Sequence, residues 1–167
     1  THSDSSAASD VYKRQVEFHS KANALTDESM EIVAAAAADH GKGIIIHNDA
    51  QHFSAGVDLN AFRAYIEAED WDGIDGFLDR FQKAVCALKY TPVPVVGAPS
   101  GLAAGGGYEV LAHCDRLVVH TNSVMGLVEA GVGVVPGGGG IKDTFFRWHA
   151  AKDSWDCLLY TSPSPRD

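Results

Sequence analysis

Two apolar runs, GIIIHN at 43–48 and VPVVGAP at 93–99, constrain this chain more than any other feature. Each is continuous rather than alternating, the pattern of a strand buried on both faces, and such strands belong to parallel sheets covered by helices. The segments around them supply the helices. TDESMEIVAAAAADH at 26–40 predicts a helix with Thr26 as its N-cap and acidic residues in the first turn. From Ile74 the series Ile74, Phe77, Leu78, Phe81, Val85, Leu88 keeps to one helical face until TPVP at 91–94 ends it. VEFHS at 16–20 reads as the end of a strand, GGGYEVLAHC at 105–114 as a short helix, and RLVVHT at 116–121 and SVMGLV at 123–128 as two further strands. GGIKDTFFRWHA at 139–150 closes the series as a helix. This alternation, without internal repeat, predicts an α/β core of mostly parallel strands joined by right-handed crossovers.

A chain of 167 residues, 46% of them hydrophobic, makes one domain or part of one and buries roughly two-thirds of its unfolded surface. No run approaches the roughly 18 apolar residues of a bilayer span, and a net charge of -9 argues against nucleic acid as a partner. Cys86, Cys114 and Cys157 form no CxxC, which fits a reduced, cytoplasmic setting. The histidines form no HxxxH or HExxH pair, and neither His47 with His52 nor His113 with His120 has the spacing of helical ligands, so no metal is expected. The ends read differently from the middle. Residues 1–15 and 157–167, polar and ending in alternating Ser and Pro, are expected to be non-native or disordered tails around a partial domain at 16–156.

GLAAGGGYEV at 101–110 places Gly105, Gly106 and Gly107 directly ahead of Tyr108 and Glu109. Such a run is retained where backbone must approach something closely or take an unusual dihedral. Phosphate loops do not account for it: GVGVVPG at 131–137 misses GxGxxG by one residue, and PGGGGIKD at 136–143 lacks the GxxxxGK[ST] order. A serine nucleophile is unsupported too, since neither Ser54 nor Ser100 lies in GxSxG. An oxyanion site fits better. If these glycines open a helix, their N–H groups have no intrahelical partner, and Glu109 lies one turn on with its side chain leaning back toward the same mouth. That pairing suits a carbonyl oxygen gathering charge while a proton moves nearby. GLVEAGVGVVPGGGG at 126–140 carries a second carboxylate, Glu129, at the end of a strand. The residues alone leave two readings open: a carboxylate pair activating water, or Glu109 capping its own helix while Glu129 pairs with a base such as Lys142.

FSAGVDL at 53–59, GLAAGGGYEVLAHCD at 101–115 and MGLVEAGVGVVPGGGG at 125–140, with KANAL at 21–25, resemble the successive motifs of the crotonase, or enoyl-CoA hydratase/isomerase, superfamily. FLDRFQKAVCALKYTPVPVV at 77–96, followed by the second glycine-rich segment, is similar to the hydratase region of bacterial bifunctional 3-hydroxyacyl-CoA dehydrogenases. The resemblance implies a crotonase-like core of stacked ββα units that stops before a C-terminal helical region of roughly 100 residues. It implies hydration of trans-2-enoyl-CoA to 3-hydroxyacyl-CoA in fatty-acid β-oxidation, with an isomerase or a non-catalytic acyl-CoA binder as alternatives. By the same resemblance Glu109 and Glu129 are the catalytic pair, Val57 and Gly106 supply the oxyanion-hole amides, and Gly137 helps position the catalytic water. Lys21, Ala22, Ala55, Val57 and Arg63 fall where relatives hold coenzyme A. No cofactor is implied beyond the coenzyme A thioester itself. A homotrimer or hexamer, and a fused NAD-dependent dehydrogenase, are expected of the intact protein.

Overall fold

The computed structural model describes residues 13–16 and 18–150, and there the apolar runs form the middle of a parallel sheet. The strands among these residues are β1 (Lys13–Val16), β2 (Gly43–His47), β3 (Val95–Ala98), β4 (Leu102–Ala104), β5 (Arg116–Leu117) and β6 (Val124–Gly126). One sheet has the order β1-β2-β3-β5, all parallel, with Val16 opposite Ile46, Ile44 opposite Val95 and Gly97 opposite Leu117. A second, parallel pair joins β4 to β6, Ala104 facing Gly126. Residues 13–15, assigned above to the N-terminal tail, thus pair as β1. The remaining tail residues, 1–12 and 157–167 with Cys157, lie outside the described residues.

The expectation that β2 and β3 are buried on both faces needs correction. Ile44, Ile46 and Val95 are buried, whereas Ile45 and Val96, on the opposite face, are only half-buried. The sealed face is so tight that a Cβ on Gly97 would come within 2.6 Å of Leu111 and 2.8 Å of Leu117. β5 is also shorter than RLVVHT implies. Val118 donates to the Gly97 carbonyl and His120 to the Pro99 carbonyl, but Pro99 has no N–H to return, so the ladder fails there. Val118 is left 66% exposed.

The helices are α1 (Asp27–Ala38), α2 (Leu59–Glu67), α3 (Trp71–Lys89), α4 (Gly106–Ala112) and α5 (Gly140–Ala150). α1 begins where the sequence predicts. Thr26 Oγ1 accepts from the Ser29 N–H and Ser29 Oγ from the Thr26 N–H, each at 3.3 Å, a reciprocal cap. α3 starts ahead of Ile74 because Asp70 caps it, accepting from Gly73 at 2.8 Å. α1 packs on α3, and Met30, Val33, Phe77, Phe81, Val85 and Leu88 enter one core with the strand residues. α2 has no counterpart in the sequence reading. It buries no residue fully, and its hold on the core is Phe62, edge-on to Phe77 at 5.2 Å.

Isolated parallel bridges between Leu25 and Val57, and between Ser54 and Ala103, lay the KANAL, FSAGVDL and GLAAGGG segments side by side. α4 packs against α5, which brings the two glycine-rich stretches to one place.

Candidate active site

The glycines at 105–107 have three separate reasons. Gly105 sits at φ 51 and ψ -121, a conformation costly for any side chain, and a Cβ there would stand 2.9 Å from Glu129 Oε1. Its N–H donates to the Gly126 carbonyl at 2.9 Å, so this amide belongs to the β4–β6 ladder and is not part of an anion site. Gly106 opens α4, where an N–H has no intrahelical acceptor, and a Cβ would come within 3.0 Å of Val57 Cγ2. Gly107 lies against Ser54, whose Cβ would be 2.7 Å from a side chain at 107.

Val57 reaches Gly106 through its bridge with Leu25. Leu25 donates to the Gly56 carbonyl at 2.8 Å and accepts from the Asp58 N–H at 3.0 Å. Because main-chain groups alternate sides along an extended strand, the Val57 N–H faces away from that pairing. The N–H groups of Val57 and Gly106 are thus both outside the local ladders, on residues that pack against each other through the Val57 side chain.

Glu109 stands in the first turn of α4 and is 3% exposed. Its Oε1 accepts from the Gly138 N–H at 2.9 Å and the Gly140 N–H at 3.0 Å. It therefore caps α5 rather than its own helix. Burial raises its carboxyl above the usual range and the nearby Glu129 charge adds to this, while the Gly140 and Gly138 amides pull the other way. Glu129 opens a 3-10 turn at Glu129–Val132 rather than ending a strand, because β6 stops at Gly126. Its Oε1 lies over Gly105, and its Oε2 is buried with no hydrogen-bond partner. Lys142 does not pair with it; that ammonium lies 3.5 Å from Asp143 Oδ2.

The other expected residues divide into two groups. The Ala55 N–H donates to the Ala22 carbonyl at 3.1 Å, next to Lys21 and two residues from Val57, so the exposed Lys21, Ala22 and Ala55 share one loop cluster with the half-buried Val57. Arg63 stands on the surface of α2 with its Nε 2.7 Å from Glu67. Gly137 is fastened from behind: its carbonyl accepts from Gln82 Nε2 at 2.6 Å. The amides on Glu109 are those of Gly138 and Gly140, which sequence reasoning passed over, although the run of four glycines at 137–140 was their signal.

Side chains with competing chemistry are committed elsewhere. Ser54 is fully buried, donating to the Asn23 carbonyl at 2.7 Å and accepting from Gly56 at 3.1 Å, so it is no nucleophile. Burial pushes the Cys114 thiol up to about 12. A cavity of about 360 Å3 opens beside Gln82, Cys86, His113 and the 136–139 loop, but neither carboxylate nor Gly106 lines it.

Residues 11–150 match the enoyl-CoA hydratase/isomerase family. The chain belongs to that family. It is 34% identical over 135 residues to a Bacillus subtilis (strain 168) protein named as a 3-hydroxyacyl-CoA dehydrogenase, a match that covers 79% of this chain and 17% of the relative. It is 36% identical over 90 residues to the human mitochondrial methylglutaconyl-CoA hydratase, covering 54% of this chain and 25% of that one. Among solved structures, a Thermobifida fusca YX protein described as an enoyl-CoA hydratase, in complex with acetoacetyl-CoA, superposes with a TM-score of 0.70 at 19% identity over 79% of this chain and 56% of its own. The fold is therefore crotonase-like, and the chain spans about half the length of such a structure. The two carboxylates, the Val57–Gly106 amides and the glycine loop over α5 stand on that frame. No helix among the described residues is long and apolar enough to cross a membrane.

Proposed function

We propose that this site hydrates trans-2-enoyl thioesters of coenzyme A to 3-hydroxyacyl-CoA. The observation that carries the reading is the unequal treatment of two neighbouring carboxylates. Glu109 has one oxygen held by two amides, while Glu129 has a buried oxygen with no partner. Burial raises the Glu109 carboxyl and so strengthens it as a base, the two N–H bonds offset part of that rise, and Oε2 is left outside the pair to act on water. The water gives its proton to Glu109 as its oxygen bonds to the β-carbon. The π electrons pass to the thioester oxygen, where the amides of Val57 and Gly106 meet the charge. Glu129 then delivers a proton to the α-carbon, and exchange between the carboxyl groups restores the starting state, for a net addition of H and OH. Lys21, Ala22, Ala55 and Val57 form the loop cluster against which the coenzyme A portion rests, and Arg63 adds positive charge nearby.

The thioester substrate class is supported by the acetoacetyl-CoA bound to the Thermobifida fusca neighbour. The relative named as a 3-hydroxyacyl-CoA dehydrogenase supports a place in fatty-acid β-oxidation, since a 3-hydroxyacyl thioester is what such an enzyme oxidises. A fused dehydrogenase in the intact protein, and its assembly as a trimer or hexamer, follow from the same reading.

The test is turnover of crotonyl-CoA by the protein and by Glu109→Gln and Glu129→Gln, followed as loss of enoyl absorbance. Each variant is expected to lose about 10²–10⁴-fold in kcat. A 3-enoyl-CoA substrate separates the two reactions: Glu109→Gln keeps isomerising it if Glu129 alone moves that proton. Unchanged hydration in both variants refutes the assignment.

A further inference from the structure

Outside the carboxylate pair, the described residues bury one other set of interacting ionisable groups. Asp143, in the first turn of α5, is fully buried; its Oδ1 takes the Lys89 ammonium from the end of α3, and its Oδ2 lies 2.7 Å from His113 Nε2 at the end of α4. His113 is itself 1% exposed, and its Nδ1 lies 2.7 Å from the Glu109 carbonyl. A carbonyl cannot donate, so Nδ1 carries the hydrogen toward Glu109. Nε2 and Asp143 Oδ2 are thus in ion-pair contact, although neither atom has a partner in hydrogen-bond geometry, and burial holds the His113 imidazole below its ordinary pKa. Lys142 is the further charge facing this group, 3.5 Å from Oδ2.

The direction of the chain ties this cluster to the catalytic carboxylate. Asp143 N–H donates to the Gly139 carbonyl at 3.0 Å, which joins Asp143 to the loop that presents Gly138 and Gly140. Those two amides hold Glu109 Oε1, and His113 holds the main chain of Glu109 itself. A closed circuit results, running Glu109, Gly138 and Gly140, Asp143, His113 and back to Glu109.

We propose that Asp143 and His113 are positioning residues for Glu109, clamping the first turn of α5 to α4, with Lys89 as the anchor on α3, so that the amides of Gly138 and Gly140 stay on Glu109 Oε1. The proposal rests on the assignment of Glu109 as the base on water. Two other ties hold these segments together without touching the Gly138 and Gly140 amides: Tyr108 to Thr144 at 3.1 Å, and Arg147 to the carbonyl of Cys114, just past the end of α4. The helices stay docked without the clamp, and what loosens is the amide pair over the carboxylate.

Two readouts test this. The titration of the Glu109 carboxyl, read by carbon-13 NMR in glutamate-labelled protein, needs no turnover. Removing the clamp with Asp143→Ala withdraws amide bonds that favour the ionised form, and the Glu109 midpoint is expected to rise by about one pH unit. With crotonyl-CoA, kcat is expected to fall about 10-fold while KM moves less than about twofold, because ground-state binding is untouched. Asp143→Asn is the conservative rescue: its oxygen still accepts from Lys89 and its NH2 donates to the bare nitrogen of a neutral His113, so both readouts return toward the parent. His113→Ala reads the clamp from the other side and should match Asp143→Ala. An unmoved Glu109 midpoint in a folded alanine variant overturns the proposal, as does an Asn variant no better than Ala. If neither alanine variant folds, the pair serves stability rather than position and the proposal falls. A parent protein without hydration activity instead overturns the hydratase reading, while the NMR titration still decides the clamp.

Discussion

At the scale of single residues, the glycines of this site differ in what they exclude. A Cβ on Gly138 would press on the Phe81 ring and stand 2.5 Å from Glu109 Oε2, whereas one on Gly131 would meet nothing within 4 Å. Gly138→Ala must therefore push the carboxylate off its position, and a displacement near 1 Å at a reacting group costs about 10²-fold. Gly131→Ala should change stability by less than about 0.5 kcal/mol and leave turnover within about twofold. Steady-state kinetics on crotonyl-CoA with the two variants side by side checks this; equal losses would mean that close approach at Gly138 is irrelevant. Ordering these glycines by role was beyond the sequence. A glycine signals that something is near and cannot say what.

At the scale of elements, α3 connects the core to the two glycine-rich segments. Phe81 is buried to 1% exposure, and its ring lies 3.4 Å from where a Cβ on Gly106 would be as well as against Gly138. One ring thus floors both glycine mouths. Phe81→Ala should cost about 3–5 kcal/mol, read as a lowered urea midpoint, with activity lost before global unfolding. The period of α3 was legible, since Phe77, Phe81, Val85 and Leu88 are among its five buried residues. α2 was passed over although Leu59, Phe62 and Ile66 follow an i, i+3, i+7 period; the stripe lasts only nine residues and packs loosely, Leu59 and Ile66 standing 56% and 50% exposed.

At the scale of the whole molecule, two buried carboxyl groups act on stability in opposite senses. Asp143 is held below the ordinary aspartate value of 3.8: burial alone would raise it, but Lys89, His113 and Lys142 outweigh that. Its contribution is present above pH 3.8 and is lost as pH falls through the lower folded-state value. Glu109 is raised, so its contribution is present below the ordinary value of 4.5 and is lost as pH rises through the folded-state value. Urea unfolding across a pH series should therefore show a flatter acid limb in Asp143→Asn and a smaller decline above pH 4.5 in Glu109→Gln. Parallel curves for parent and variants would contradict both signs.

The sequence by itself determined the alternation of strands and helices, the Thr26 cap, the glycine-opened α4 and the two glutamates. Each depends on neighbours within a turn or on a period of two or 3.6 residues. The tertiary structure alone decided which backbone meets which side chain. Glu109 lies 29 and 31 residues from the amides it accepts, and Asp143 lies 54 residues from Lys89. Contacts at that distance follow from sheet register and from the rotation of one helix against another, which are settled only when the whole core packs.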